Sequence, residues 1–538
     1  MEEITYIDAC CFLGRTIRGG DGIPETPEQT LQTMDHCGVH QALVVDTLCA
    51  STNPIEGNRR ILELARDHPR LIPAWAGLAT HSRELAPPGE LVAKMREHGV
   101  GALFLFHKQF DMRLEDWVLG DLLAALEEAR VPVFVSPETQ REPGLTDATD
   151  WPGIVGLCRA FPDLPLVVTE SRIYGSQRAL YQALAACPNL RVDMTSIWLH
   201  HRVEFICREF GADRLVWSSR LPERNPAIPL VQLNYSDISP DELGAIAGGN
   251  LRQMLSWNEN SQFVDRVQFP AATDRLHDKS RRRQSLRDEQ FHDCHGHIGW
   301  CSNRHVVHDG PADIVAEMDK FGIRACCVFS FAGSMADEVY GNNEAAKVIA
   351  AYPDRFVGFT FVNPNRGEAR MVAEMERGLE LGMQGIKLAP SFQHYPLEGP
   401  MIDVACRFAD EHGLFMLNHV WGSATQMRRL CTTYPSACFF TGHMTFDYAD
   451  VARDVDNLYI CTCPLLGLFQ TERAVEVYGA DRLLFGSDLT DLPIGWGLGP
   501  ILYARIPEGD KRKILGGNLR GLMDRYGVRP KGWGATTG

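Results

Sequence analysis

No apolar run in this chain of 538 residues approaches the roughly 20 residues needed to cross a bilayer, so a membrane-spanning helix is not expected. The chain opens MEEITYIDACCFLG, with acids where an export signal carries basic residues, and a cytoplasmic location is expected. Zinc-type C-x-x-C pairs are missing although there are 16 cysteines. Several, such as Cys326, Cys327 and Cys438, lie inside apolar runs, as reduced buried thiols do. Basic charge is short, with 53 Lys and Arg against 69 Asp and Glu and a net charge of -16. Such a surface repels phosphate backbones, so neither nucleic acid nor a membrane is an expected partner. No G-x-G-x-x-G turn follows a first strand, which weighs against a doubly wound nucleotide-binding sheet, the second choice of fold.

What is present is a globular balance, 45% hydrophobic and 23% charged, in a chain too long for one core. The chain also repeats itself. YIDACCFLG (6–14) returns as FHDCHGHIG (291–299), PRLIPAWAGL (69–78) as DRFVGFTFVN (354–363), FGADRLVWSSR (210–220) as YGADRLLFGSD (478–488), and AGGNLRQML (247–255) as LGGNLRGLM (515–523). The order is kept and the offset stays between 268 and 285 residues, which means two homologous domains, 1–257 and 291–538. The polar stretch 258–290, with its run KSRRR, reads as a solvated charged linker, not a nucleic-acid or targeting segment.

Each half alternates short apolar runs with amphipathic stretches. Strands are expected near 4–11, 41–46, 71–77, 100–105, 131–136, 164–169, 189–194 and 214–218. In the second half they are expected near 291–297, 324–331, 356–362, 384–388, 414–418, 437–442, 457–462 and 482–486. Strand then helix, eight times in about 250 residues, predicts an α/β fold of two tandem (β/α)8 TIM barrels.

Active sites of such barrels lie at the carboxyl ends of the strands. There the second half carries His295 and His297, two apart on one strand and able to face one side, then His419, His443 and Asp488. Imidazole and carboxylate suit one Zn²⁺, with Mn²⁺, Fe²⁺ or Ni²⁺ as alternatives. Cys461 and Cys463 alternate at the end of the seventh strand, so both can line the pocket, direct ligation being the second reading. Trp421, Phe392, His394 and Tyr395 follow strands five and four and are candidates for an aromatic pocket wall.

DCHGHIG, GIKLAP, the two later histidines, YPDRF and GADRLLFGSDL together resemble the amidohydrolase superfamily. The nearest branch is the metal-dependent one that holds the aminocarboxymuconate-semialdehyde-type decarboxylases, and the likeness runs through nearly all of 291–525. The resemblance implies that His295, His297, His419 and Asp488 bind one metal ion. It implies that His443 polarises substrate or water, and that Asp488 moves the proton. Lys387 stands where binuclear relatives carry a carboxylated lysine, and here a structural or substrate-contacting lysine is the expected reading. Arg304 stands where it can bind a substrate carboxylate, as an arginine does in the decarboxylases, or simply be solvated. The reaction expected first is hydrolysis of a C–N or C–O bond in a small amide, lactone or cyclic substrate by metal-activated water. Non-oxidative decarboxylation of an aromatic or unsaturated acid is the alternative, and dehydrative cyclisation of a biosynthetic intermediate the third.

In the first half the matching positions hold Cys10, Phe12, Phe104, Ser136 (within one residue), Glu170 and Arg220. No transition-metal site is expected there, so the first barrel reads as a pseudoenzyme domain. Relatives are often homodimers. The fusion therefore suggests an intrachain pseudo-dimer, with further homo-oligomers open.

Overall fold

Short strands of Val, Ile, Leu, Phe and Cys, buried on both faces, set the architecture, because only a sheet covered on both sides accommodates such runs. The computed structural model describes residues 4–16, 20, 22–137, 149–169, 177–264, 266–302, 304–307 and 310–533. The chain divides into two units, Met1–Ala272 and Thr273–Gly538. In the first, β1 (Ile7–Leu13), β2 (Gln41–Asp46), β3 (Leu71–Ala76), β4 (Ala102–Leu105), β5 (Val133–Val135), β6 (Leu166–Val168), β7 (Leu190–Asp193) and β8 (Leu215–Val216) pair in parallel in chain order. In the second, β9 (Phe291–Ile298), β10 (Ile323–Ser330), β11 (Phe356–Phe361), β12 (Gly385–Leu388), β13 (Phe415–Asn418), β14 (Cys438–Thr441), β15 (Leu458–Cys461) and β16 (Leu483–Leu484) do the same. Helices separate the strands. Pro400–His412 is representative: proline opens it, Ile402, Ala405, Phe408 and Ala409 are buried, and Gly413 ends it at φ 62°. Each half is a (β/α)8 TIM barrel, as the repeat predicts. Among the described residues no helix is long and apolar enough to cross a membrane.

Both barrels close by the same bonds. Ala9 N donates to Trp217 O (3.0 Å) and Arg220 N to Cys10 O (2.9 Å); in the second barrel Cys294 N donates to Phe485 O (2.8 Å) and Asp488 N to His295 O (2.9 Å). Beneath this seam sits a buried carboxylate. Asp8 Oδ1 accepts from Cys10 N (3.1 Å) and Ser219 N (2.9 Å), and Ser219 Oγ donates to Oδ2. Asp293 repeats the pattern, accepting from His295 N (3.0 Å), Ser487 N (3.0 Å) and Ser487 Oγ (2.5 Å). The register of β1 slips between Asp8 and Cys11, and β9 slips between the paired positions Asp293 and Gly296. This shared bulge re-aims the residue that is Cys10 in one barrel and His295 in the other.

Burial pushes the Asp8 carboxyl up to about 7, against its hydrogen bonds from Ser219 and Cys10. A carboxyl whose folded pKa is raised stabilises fully below its unfolded value near 3.9, and the contribution is lost as pH rises through about 7. The thermal stability of the first barrel is therefore expected to fall between about pH 4 and about pH 7 by an amount that Asp8→Asn removes. Asparagine keeps an acceptor and a donor there but does not titrate. Parallel melting curves for wild type and variant across that range would refute the assignment.

The segment 258–290 differs from the expected solvated linker. The boundary falls between Ala272 and Thr273, and Arg275–Arg281 is a helix capped by Asp274, with Leu276, His277 and Ser280 buried. Its charges are paired: Asp274 with the buried Lys511 (2.6 Å), and Arg275, Lys279 and Arg512 around Glu289 (2.9, 2.7 and 3.0 Å). Their partners lie up to 237 residues away, beyond what a local charge run reveals.

Candidate metal centre

The mouth of the second barrel collects its polar side chains from four strand ends. His295 and His297 stand on β9, His419 directly after β13, His443 two residues past β14, and Asp488 four past β16. His295 Nε2 and His297 Nε2 lie 3.3 Å apart, Asp488 Oδ1 is 2.9 Å from His297 Nε2, and it is 3.3 Å from His295 Nε2. Two donors bound at about 2.1 Å and separated by about 90–110° at a metal lie about 3.0–3.4 Å apart, which is the spacing of this triangle.

The supporting contacts aim these atoms. His295 Nδ1 is 2.7 Å from the carbonyl oxygen of Gly442, which only accepts, so Nδ1 carries the proton and Nε2 presents its lone pair. Gly442 fits because a Cβ there would lie 2.7 Å from His419 Cα. The His297 ring stacks on Phe331 (4.3 Å between centroids) and meets Phe329 edge-on (4.5 Å). Burial, with Lys387 nearby, holds His295 well below the ordinary histidine range. Burial also lowers His297 and His443, and it takes His419 to about 3. Burial acts to raise Asp488, but the surrounding histidines outweigh it and hold the carboxyl well below its usual range. Imidazole nitrogens and a carboxylate are the donor types that a dication takes.

The remaining expected residues divide. His443, Cys463 and Asp488 place ligand atoms within 4.8 Å of one another, so Asp488 is shared between this group and the His295–His297 pair. His419 stands outside both groups, its ring edge-on to His443 at 4.7 Å and to Phe392 at 5.2 Å. Lys387 is 2% exposed, its Nζ has no hydrogen-bond partner and lies 4.2 Å from the Phe329 ring centroid, and burial lowers it to about 7. Arg304, expected either on a substrate carboxylate or in solvent, is buried in an ion pair with Asp491 at 2.5 Å. Trp421 does not offer the expected pocket wall. It is 1% exposed and its indole donates to Phe440 O at 2.8 Å, because a buried N–H takes the nearest carbonyl. Tyr395 is likewise buried, with Ala389 N donating to its hydroxyl (2.9 Å), while Phe392 is exposed near His419.

Sequence reasoning missed the Asp293–Ser487 clasp. The signal was available, since Asp8 and Ser219 repeat both residues while every ligand position beside them changes.

At the matching points of the first barrel the chemistry is replaced. Ser136 N donates to Leu105 O as His419 N does to Leu388 O, which makes Ser136 the counterpart of His419. Phe12 and Phe104 join an apolar core with Phe106 and Phe134, and Phe104 stacks on Phe134 at 4.8 Å. Arg220, buried, donates to Thr169 O (2.7 Å) and covers the Phe12 ring at 5.3 Å. Glu170 lies outside the described residues.

The amidohydrolase family model matches residues 15–257 and again residues 293–520, so the chain belongs to the amidohydrolase family, with one copy in each barrel. No curated protein matches the chain in sequence. Similar solved structures include an uncharacterized TIM-barrel protein from Bordetella bronchiseptica, 18% identical, covering 44% of this chain and 99% of its own, with a TM-score of 0.37. A 5-carboxyvanillate decarboxylase from Sphingomonas paucimobilis is 15% identical and covers 45% of this chain and 99% of its own, at 0.37. A dihydroxybenzoic acid decarboxylase from Polaromonas sp. JS666, solved with bound manganese, is 18% identical and covers 44% of this chain and 96% of its own, at 0.34.

Proposed function

We propose that the second barrel is a metal-dependent hydrolase that cleaves a C–N or C–O bond in a small amide, lactone or cyclic substrate. The triangle of His295 Nε2, His297 Nε2 and Asp488 Oδ1, with sides of 2.9 to 3.3 Å, carries this reading. Zn²⁺ is the first choice of ion for that donor set, with Mn²⁺, Fe²⁺ and Ni²⁺ as alternatives. His419 is assigned as a further ligand on the family resemblance. A dication held there supplies Lewis acidity and lowers the pKa of a coordinated water to roughly 7.

The residues of the chain do the rest. Asp488 accepts the proton of the attacking water and returns it to the leaving nitrogen or oxygen. His443, with a ring nitrogen within 4.8 Å of an Asp488 oxygen, polarises the substrate. Burial of the whole group strengthens each of these interactions by excluding water. The ion pair of Arg304 with Asp491 favours hydrolysis, because that arginine is already neutralised and does not await a substrate carboxylate. Decarboxylation is the second reading. Lys387 favours it, as a buried amine without a hydrogen-bond partner is suited to receive a carboxylate. We assign the first barrel no metal chemistry, since Phe12, Phe104, Ser136 and Arg220 occupy the matching positions, and read it as the other half of an intrachain pseudo-dimer.

Metal analysis and a substrate panel test the reading. Bound metal is expected in stoichiometric amount, with turnover of amides or lactones and no gas release from arylcarboxylic acids. A chelator is expected to remove up to about 4 kcal/mol from the second barrel where the free ion stands at a thousandfold its Kd. It is expected to leave the first barrel's transition in place. A metal-free, chelator-insensitive protein overturns the proposal, and carbon dioxide release without hydrolysis transfers it to the second reading.

A further inference from the structure

Cys461 and Cys463 differ in what they face. The Cys461 thiol lies 4.0 Å from His295 Nδ1, the nitrogen that carries a proton for Gly442, and so sits behind the ring, away from the donor triangle. The Cys463 sulfur, by contrast, falls within 4.8 Å of a His443 ring nitrogen and an Asp488 oxygen, which are themselves that close to each other. His443 Nδ1 has no hydrogen-bond partner, and neither does Lys387 Nζ, a 2%-exposed amine whose charge acts on Cys463. Polar atoms buried without partners around a shared carboxylate mark a site shaped for something further. In the first barrel the same register puts Asp193 and Thr195 at the two positions, with Thr195 Oγ1 donating to Asp193 (2.7 Å). The thiol therefore occurs only in the barrel that holds the histidines.

We propose that Cys463 would supply a sulfur ligand to a dication held at the mouth of the second barrel, beside the shared Asp488. The inference rests on the metal-centre reading above. On ligation the S–H bond breaks, a sulfur–metal bond forms, and the proton leaves to solvent, with no change of oxidation state. A thiolate selects borderline and soft ions. This enlarges the preference for Zn²⁺, Co²⁺ or Cd²⁺ over Mn²⁺ beyond that of an all-nitrogen-and-oxygen site.

Cobalt tests it on the full-length protein, stripped with a chelator and reloaded with Co²⁺. Visible d–d bands report an ion held by the protein, and a near-ultraviolet charge-transfer band reports sulfur bound to it. Both bands are expected in wild type. Cys463→Ser is expected to lose only the charge-transfer band, Cys461→Ser neither, and the Zn²⁺-over-Mn²⁺ affinity ratio is expected to drop at least about tenfold in Cys463→Ser. Visible bands without charge transfer in wild type overturn the sulfur ligand and leave the metal centre standing. A charge-transfer band that survives Cys463→Ser or vanishes in Cys461→Ser also overturns it. Absence of both bands overturns the metal centre and the sulfur ligand together. If the serine variant fails to fold, a Cd²⁺ titration of wild type reads the cadmium–thiolate absorption directly, and its absence overturns the proposal.

Discussion

Asp488→Asn is expected to lower turnover by about a thousandfold or more at saturating metal, since a positioned acid–base group alone contributes about 10²–10⁴-fold. Asparagine has the shape of aspartate and can still touch His297 Nε2, so the loss is chemical. The amide does not accept the proton of the attacking water, and it brings no negative charge to a cluster of neutral imidazoles. In the absence of metal the folded protein is expected to lose some stability, because the histidines that hold the Asp488 carboxyl below its usual range favour its ionised form. The distinguishing measurement is kcat and kcat/KM with metal content determined on the same sample. Equal falls in both at full occupancy mark an interaction made only in the transition state. A variant within tenfold of wild type at full occupancy would remove Asp488 from the chemistry.

The clasp carries the largest expected stability effect. Asp293→Ala leaves three buried donors, His295 N, Ser487 N and Ser487 Oγ, without their acceptor. At about 1–3 kcal/mol for each buried donor left unpaired, the cost is about 3–9 kcal/mol. For a domain of this size that lowers Tm by about 6–36 °C. Asp8→Ala strips the same three donors in the first barrel and is expected to lower that barrel's transition comparably while metal content stays unchanged. Calorimetry of the two variants separates the effects. Shifts under about 3 °C in both would show that the seam is held elsewhere.

These two aspartates show how far the residues alone could be read. The repeat exposes the barrel pair because eight buried parallel strands demand apolar runs at a fixed rhythm, and each half carries that rhythm. It also sorts structure from chemistry: Asp8 and Ser219 match Asp293 and Ser487, while Cys10, Phe12 and Arg220 stand where His295, His297 and Asp488 do. Other features were not legible. The Arg304–Asp491 pair joins residues 187 apart in the chain. Trp421 and Phe392 look alike as aromatics after strand ends, yet one points into the packing under β14 and the other into the mouth. Cys461 and Cys463 share an alternation phase, but one sits behind a ring and the other beside a carboxylate.

Periodicity, repeats and residue types are properties of the covalent chain, and they determined two barrels, which of them carries the histidine and aspartate cluster, and the strand ends from which those side chains come. Distances between strand ends are set by closure of the barrel, by the bulge before His295 and by the Gly442 carbonyl that fixes its tautomer. Only the tertiary structure therefore decided that His295, His297 and Asp488 form the tight triangle, with His419 one ring away. The same packing commits Arg304 to Asp491 and leaves Lys387 without a hydrogen-bond partner. It also brings Cys463 to Asp488.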